Sequence, residues 1–191
     1  MSATKDSIIS LPNPHLRQRS KRVPIVTDEV RQVVQNMIDA TVDWEESRPH
    51  EVGVALAAVQ IDLPYRIIVI RDDFEDKANK TFKVFINPEI VKFEGDLEED
   101  FEGCLSVTDI YGKVPRYSKI RVRALDIDGR PIRVKAEGFL ARIFQHEVDH
   151  TNGLMFVDHL KDHKEAFYQL TTDGQLDPIS YEQATQTGIF R

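Results

Sequence analysis

The sequence predicts an α+β domain in which antiparallel strands are gathered between two helices. Helical periodicity is confined to two windows, and the β-branched segments between them follow one another with no helix intervening. A doubly wound sheet would instead alternate strands with helices. The first helix starts at Thr27, whose hydroxyl suits an N-cap, and Val30, Val33, Val34, Met37 and Ile38 then recur at helical spacing. It ends near "ESRPHE". Strands follow at Tyr65–Ile70, Phe82–Val91, Lys119–Asp126 and Pro131–Glu137, all β-branched and partly alternating. Asp128-Gly129 between the last two is a hairpin turn, because glycine accepts the positive φ such turns need. The second helix is "GFLARIFQHEVDHTNG", with Phe139, Leu140, Ile143, Phe144 and Val148 on its apolar side and Gly153 as its stop.

At 191 residues, without internal repeat or Gly/Ser linker, the chain reads as one domain over 1–191, with 164–191 an extension of unclear role. A formal net charge of −7 excludes a surface built to neutralise phosphates, so no direct nucleic-acid binding is expected. The single cysteine, Cys104, excludes an intramolecular disulfide and fits a reducing compartment. The start lacks the pattern of a secretory or transit signal, and no apolar run approaches the roughly 18 residues that span a bilayer. A cytoplasmic protein that does not engage a membrane is expected.

The chemistry concentrates in "QHEVDH". Residues four apart on a helix differ by roughly 40° and about 6 Å, so His146 and His150 project from one face and suit a single ion. Glu147, turned about 100° from His146, is placed to exchange a proton with a water on that ion and not to be its third ligand. Taken alone, the pair fits a metal helix and the polar face of an ordinary helix equally well. His159 and His163 repeat the spacing, but no glutamate follows the first and Lys161, Asp162 and Lys164 surround the second; an exposed or minor structural role is expected. His15 and His50 have no partner at ligand spacing. Cys104, beside Gly103, is the candidate third ligand; a buried free thiol is the alternative.

Three segments in order, "GVALAAVQ" (Gly53 to Gln60), "EGCLS" (Glu102 to Ser106) and "QHEVDH" (Gln145 to His150), resemble the signature of the peptide deformylase family. The resemblance runs from "LPNPHLRQRSKRV" to about "GLMFVDHL". It implies antiparallel sheets packed around a central helix that carries the third motif. It also implies a divalent metal held by Cys104, His146 and His150, ferrous iron in cells, with zinc, nickel or cobalt as substitutes. The implied reaction is removal of the formyl group from N-formylmethionyl nascent polypeptides, with release of formate and transient contact with the ribosome. Glu147 is implied as general acid/base, and the Gln60 amide and Leu105 N–H as oxyanion donors. Gly53 and its neighbours would offer backbone groups to the substrate, Phe139 and Ile143 would wall its methionine pocket, and Glu102 and Asp149 would orient ligands.

The chain departs from the family pattern at four positions. Ala55 stands for the second glycine of the first motif, Val59 and Thr108 stand where prolines are frequent, and Tyr111 lies where many members carry an arginine. These bear on substrate preference and rate, since none is a ligand or the acid/base. Two rival functions follow: a metallopeptidase, which draws its third ligand from downstream and rarely uses cysteine, and a deformylase-like binder with little turnover.

Overall fold

Thr27 opens the first helix, α1 (Asp28–Glu46), by accepting the Val30 N–H at 3.4 Å. The computed structural model describes residues 3–74 and 76–190. After α1 come β1 (Ala55–Ala57), β2 (Ile67–Arg71), β3 (Phe82–Cys104), β4 (Val107–Leu125), β5 (Pro131–Glu137), α2 (Gly138–Thr151), β6 (Phe167–Leu170), β7 (Leu176–Pro178) and α3 (Tyr181–Gln186). Among the described residues, seven strands form one antiparallel sheet in the order β1-β2-β3-β4-β6-β7, with β5 also beside β4. The α+β expectation holds, with α2 packed across the sheet.

Burial on both faces explains why "VALAAV" and "IIVI" are continuously apolar rather than alternating. Ala55, Ala57, Ile68 and Ile70 face Ala141, Ile143 and Phe144 of α2. Leu56, Ile67 and Val69, in the opposite phase, face Val34, Met37 and Ala40 of α1. Strands β1 and β2 thus lie between two helices. Phe144 meets Phe85 edge-on, with ring centroids 4.8 Å apart, an arrangement aromatic pairs favour.

The strands expected at Phe82–Val91 and Lys119–Asp126 are the outer halves of one long hairpin, β3–β4. Its inner half runs through "EGDLEEDFE", where exposed acids hide the period of two; pairing to β4 carries the strand through register shifts at Ile90/Lys92 and Glu94/Leu97. Glu94 pairs with Arg121 at 2.7 Å, and Arg142 of α2 caps the Glu98 and Asp100 carbonyls. The hairpin turns at Leu105–Ser106, so Cys104 ends one strand as the next begins.

The segment after Lys164 adds β6 to β4 through Tyr111↔Tyr168 and places Phe167, Ala184 and Ile189 in a cluster with Leu16, Val114 and Leu160. Gly153 ends the reversal after α2 at φ +79°, and a Cβ there would lie 2.4 Å from the Arg17 carbonyl oxygen. Gly153→Ala is therefore expected to cost about 1–3 kcal/mol, from strain and displacement of the Arg17 segment. A denaturant titration checks this; an unchanged midpoint refutes it.

Candidate metal centre

Neither histidine lies on a polar face: His146 is 8% exposed and His150 fully buried, and most of α2 is enclosed. Cys104 arrives from the tip of the β3–β4 hairpin. Its Sγ lies 3.3 Å from His150 Nε2, which lies 3.2 Å from His146 Nε2, and the three donor atoms fall within 4.8 Å of one another. Gly103 lets the hairpin sit there, since a Cβ at that residue would lie 2.4 Å from the Tyr111 ring.

The tautomers follow from the neighbours. His146 Nδ1 donates to Glu102 Oε2 at 2.8 Å, which leaves Nε2 as its free donor atom. Burial pushes His150 down to about 3, so its imidazole is neutral, as a ligand must be. Burial alone would raise Glu102, yet hydrogen bonds from His146 and Arg116 outweigh it and hold the carboxyl well below the usual range. Arg116 grips Glu102 at 2.8 and 3.0 Å, and Arg142 adds a bond of 3.0 Å. Two buried guanidinium groups thus fix the carboxylate that fixes His146.

Asp149 acts at greater remove than expected. It receives Arg116 at 2.6 Å and His159 at 2.7 Å, and so reaches His146 only through Arg116 and Glu102. His159 touches the centre only through this bond to Asp149.

Glu147 and Gln60 complete the centre. Burial, with Glu102 adding and His146 opposing, pushes Glu147 up to about 7. Its Oε2 is buried and accepts no hydrogen bond from the described residues. Gln60 is buried in the 3-10 turn Ala58–Ile61, where the Ala57 N–H holds Oε1 at 2.8 Å. That bond turns Nε2 toward Ser106 Oγ at 3.1 Å and Cys104 Sγ at 3.4 Å. One thiolate and two imidazoles suit a borderline divalent ion, and an orphan buried carboxylate oxygen beside them suits the proton of a bound water. The residues therefore fit a metal.

A cavity of about 400 Å³ opens over this cluster, lined by Val54, Ala55, Leu105, Phe139, Ile143 and Glu147 among others. Phe139, 47% exposed, meets Phe74 edge-on at its mouth. A wider cleft, about 680 Å³, lies along another face of α2 beside Arg66 and Tyr117 and contains none of the three donors.

The expectation for Gly53 needs correction. Its N–H already donates to Glu45 Oε2 at 2.8 Å and its carbonyl accepts from Arg71 Nε at 3.2 Å, so neither group is available to a substrate. Ala55 is the neighbour that is free. Because the Arg71 N–H donates to the Val54 carbonyl at 2.8 Å, the ladder turns Ala55 toward the open side of β1, and its N–H and C=O have no partner among the described residues. Ala55 has ordinary strand geometry, so its methyl carries no left-handed strain. Val59 is buried in the Gln60 turn, Thr108 is exposed, and the Tyr111 hydroxyl donates to Glu51 at 2.6 Å on the cavity wall.

Sequence reasoning missed Arg116, Arg142 and Ser106. A signal existed for Arg116: Ile110, Gly112, Val114 and Arg116 are buried in strict alternation along β4. For Arg142 and Ser106 only the fold supplies a reason.

The polypeptide deformylase family model matches residues 5–166. The chain is 42% identical over 159 residues to the peptide deformylase of Thermomicrobium roseum, covering 82% of this chain and 86% of that one. It is also 42% identical over 154 residues to the peptide deformylase of Pseudomonas aeruginosa, covering 81% and 86%. Among solved structures, that of a peptide deformylase from Legionella pneumophila superposes with a TM-score of 0.73 at 38% identity, covering 84% of this chain and 87% of that one. An Ehrlichia chaffeensis peptide deformylase in complex with actinonin gives 0.73 at 33% identity, covering 86% and 92%.

Proposed function

The chain belongs to the peptide deformylase family, and from that membership we propose the roles its own residues take in the family's reaction. It is a metal-dependent hydrolase that removes the formyl group from N-formylmethionyl peptides and releases formate. The observation that carries the residue assignment is the buried, unpartnered Glu147 oxygen beside the Cys104, His146 and His150 donors.

These three residues would hold the ion. When bound, a divalent metal lowers the pKa of a coordinated water from roughly 15.7 to about 7 and so supplies a nucleophile at neutral pH. Donors of this kind suit ferrous iron in the cell and tolerate zinc, nickel or cobalt. Water adds to the formyl carbon and the C–N bond breaks; Glu147 takes the water's proton and gives it to the departing amine, leaving formate and a free methionyl terminus. A group held near 7 passes a proton both ways at neutral pH, as this step needs. The Gln60 amide, pinned through Oε1, and the Leu105 N–H stabilise the oxyanion without reorganising. Ile143, Phe139 and Val54 enclose the methionine side chain, and the free edge of Ala55 pairs with the peptide backbone.

Among the described residues no helix is long and apolar enough to cross a membrane. We place the protein in the cytoplasm, where nascent chains emerge, and infer brief contact with the ribosome without direct nucleic-acid recognition, in keeping with the net charge of −7.

Iron-loaded protein prepared without oxygen is expected to release one formate per formyl-Met-Ala-Ser and to leave unformylated Met-Ala-Ser intact. Formate would be followed by a coupled dehydrogenase, and intact peptide by mass spectrometry. Cleavage between Ala and Ser would instead establish the peptidase reading; a fully loaded but silent protein would establish the binding-only one.

A further inference from the structure

Glu45 and Arg71 form a buried ion pair that the reaction does not use. Arg71 has a fully buried side chain, Glu45 is 5% exposed, and Arg71 Nη2 meets Glu45 Oε2 at 2.6 Å. Charges removed from water this thoroughly seldom repay their desolvation, and apolar replacements of such pairs are often neutral for stability. Stability alone therefore does not account for the pair.

Its hydrogen bonds indicate what it holds. The same Glu45 oxygen takes the Gly53 N–H at 2.8 Å, and Arg71 Nε takes the Gly53 carbonyl at 3.2 Å. Both backbone groups of one residue are thereby fixed where the chain enters β1. Thr41 closes the remaining side, with its Cγ2 2.7 Å from where a Gly53 Cβ would stand. Arg71 also reaches the Asn79 carbonyl at 3.1 Å, and Lys80 binds the other Glu45 oxygen at 2.6 Å.

We propose that Glu45 and Arg71 are positioning residues that set the Val54–Ala55 edge for the backbone of the formylated peptide. The inference rests on the reading above that the substrate pairs with this edge. β1 is three residues long and is held at its far end by Gln60 through the Ala57 N–H, so the clamp fixes the end at which the chain enters it. Loss of the clamp should weaken peptide binding more than the chemical step, because the metal donors, Glu147 and Gln60 lie on α2, the hairpin tip and the turn after β1.

The double variant Glu45→Met/Arg71→Met removes both buried charges together and leaves without a partner only Lys80, whose side chain is 38% exposed to water. With the metal load equal to native, KM for formyl-Met-Ala-Ser-Lys is expected to rise about tenfold and kcat to change less than threefold. For formyl-methioninamide, which has no backbone beyond the methionine to pair, KM should change less than threefold. Arg71→Lys, retaining the charge but not the fork that reaches Gly53, should fall between. In parallel, hydrogen exchange of the Gly53 amide and of the Leu56 amide in the β2 ladder should quicken about tenfold while β3 and β4 stay protected. Equal KM rises for both substrates, or a fall in kcat with KM unmoved, would overturn the proposal, as would unaltered exchange in a folded double variant. Silence of the native protein toward formyl peptides would refute the functional reading instead, and the exchange arm would still decide whether the pair holds the edge.

Discussion

Glu147→Gln is expected to lower formate release by about 100 to 10,000-fold, the usual worth of a positioned acid/base. The substitution keeps the shape of the side chain and removes its proton transfer. Glu147 is not one of the three donors, so metal content by atomic absorption should remain at one ion per chain. Two features make the expectation strong. The carboxyl is buried in the cavity wall with one oxygen unpartnered, and burial brings it to about 7, where it serves both halves of the reaction. Turnover within threefold of native would remove Glu147 from the mechanism.

The second large effect belongs to the sulfur. Cys104→Ala should weaken metal binding more than 100-fold and bring formate release to the level of metal-free protein. Loss of a mere outer partner of a ligand typically costs 10 to 100-fold, and here a donor itself is removed. The fold should survive, because Cys104 sits at a hairpin end and alanine removes one atom without adding any. Far-ultraviolet circular dichroism would verify that, and competition with a chromophoric chelator would give the affinity. Unchanged metal binding in a folded variant would make Cys104 a buried thiol and nothing more.

What the sequence revealed, and what it hid, divides along physical lines. Periodicity placed α1 and α2 because each has one face that must be apolar, and Thr27 and Gly153 marked their ends through local backbone needs. Helical spacing put His146 and His150 on one face with Glu147 beside them, while Cys104 and Gln60, which carry little signal alone, stood out only through the resemblance of three ordered motifs to a known family. The acidic inner half of β3 was illegible: its strand geometry comes from β4 and not from its own residues. The buried cations were illegible for a related reason. Arg142 looks like any charged helix residue until the fold brings Glu102 against it at 3.0 Å. Gly53 was misread because the partners of its backbone groups, Glu45 and Arg71, lie in segments that carry no motif. The tail past Lys164 lacked any signal of its role, and it contributes strands only because β4 offers an edge at Ile110–Gly112.

The brevity of β1 has a consequence for life in a crowded solution. An exposed sheet edge accepts any extended chain, including the edges of other molecules, and long bare edges seed aggregation. A protein whose task is to receive unstructured peptides cannot remove its edge altogether. Along β1 the hazard is confined: Gly53 is satisfied from within, the Ala57 N–H is taken by Gln60, and of these residues Ala55 alone keeps both groups open. One residue of ladder suffices for a guest also held by a side-chain pocket and a reactive end group, and is too little to recruit a neighbouring sheet.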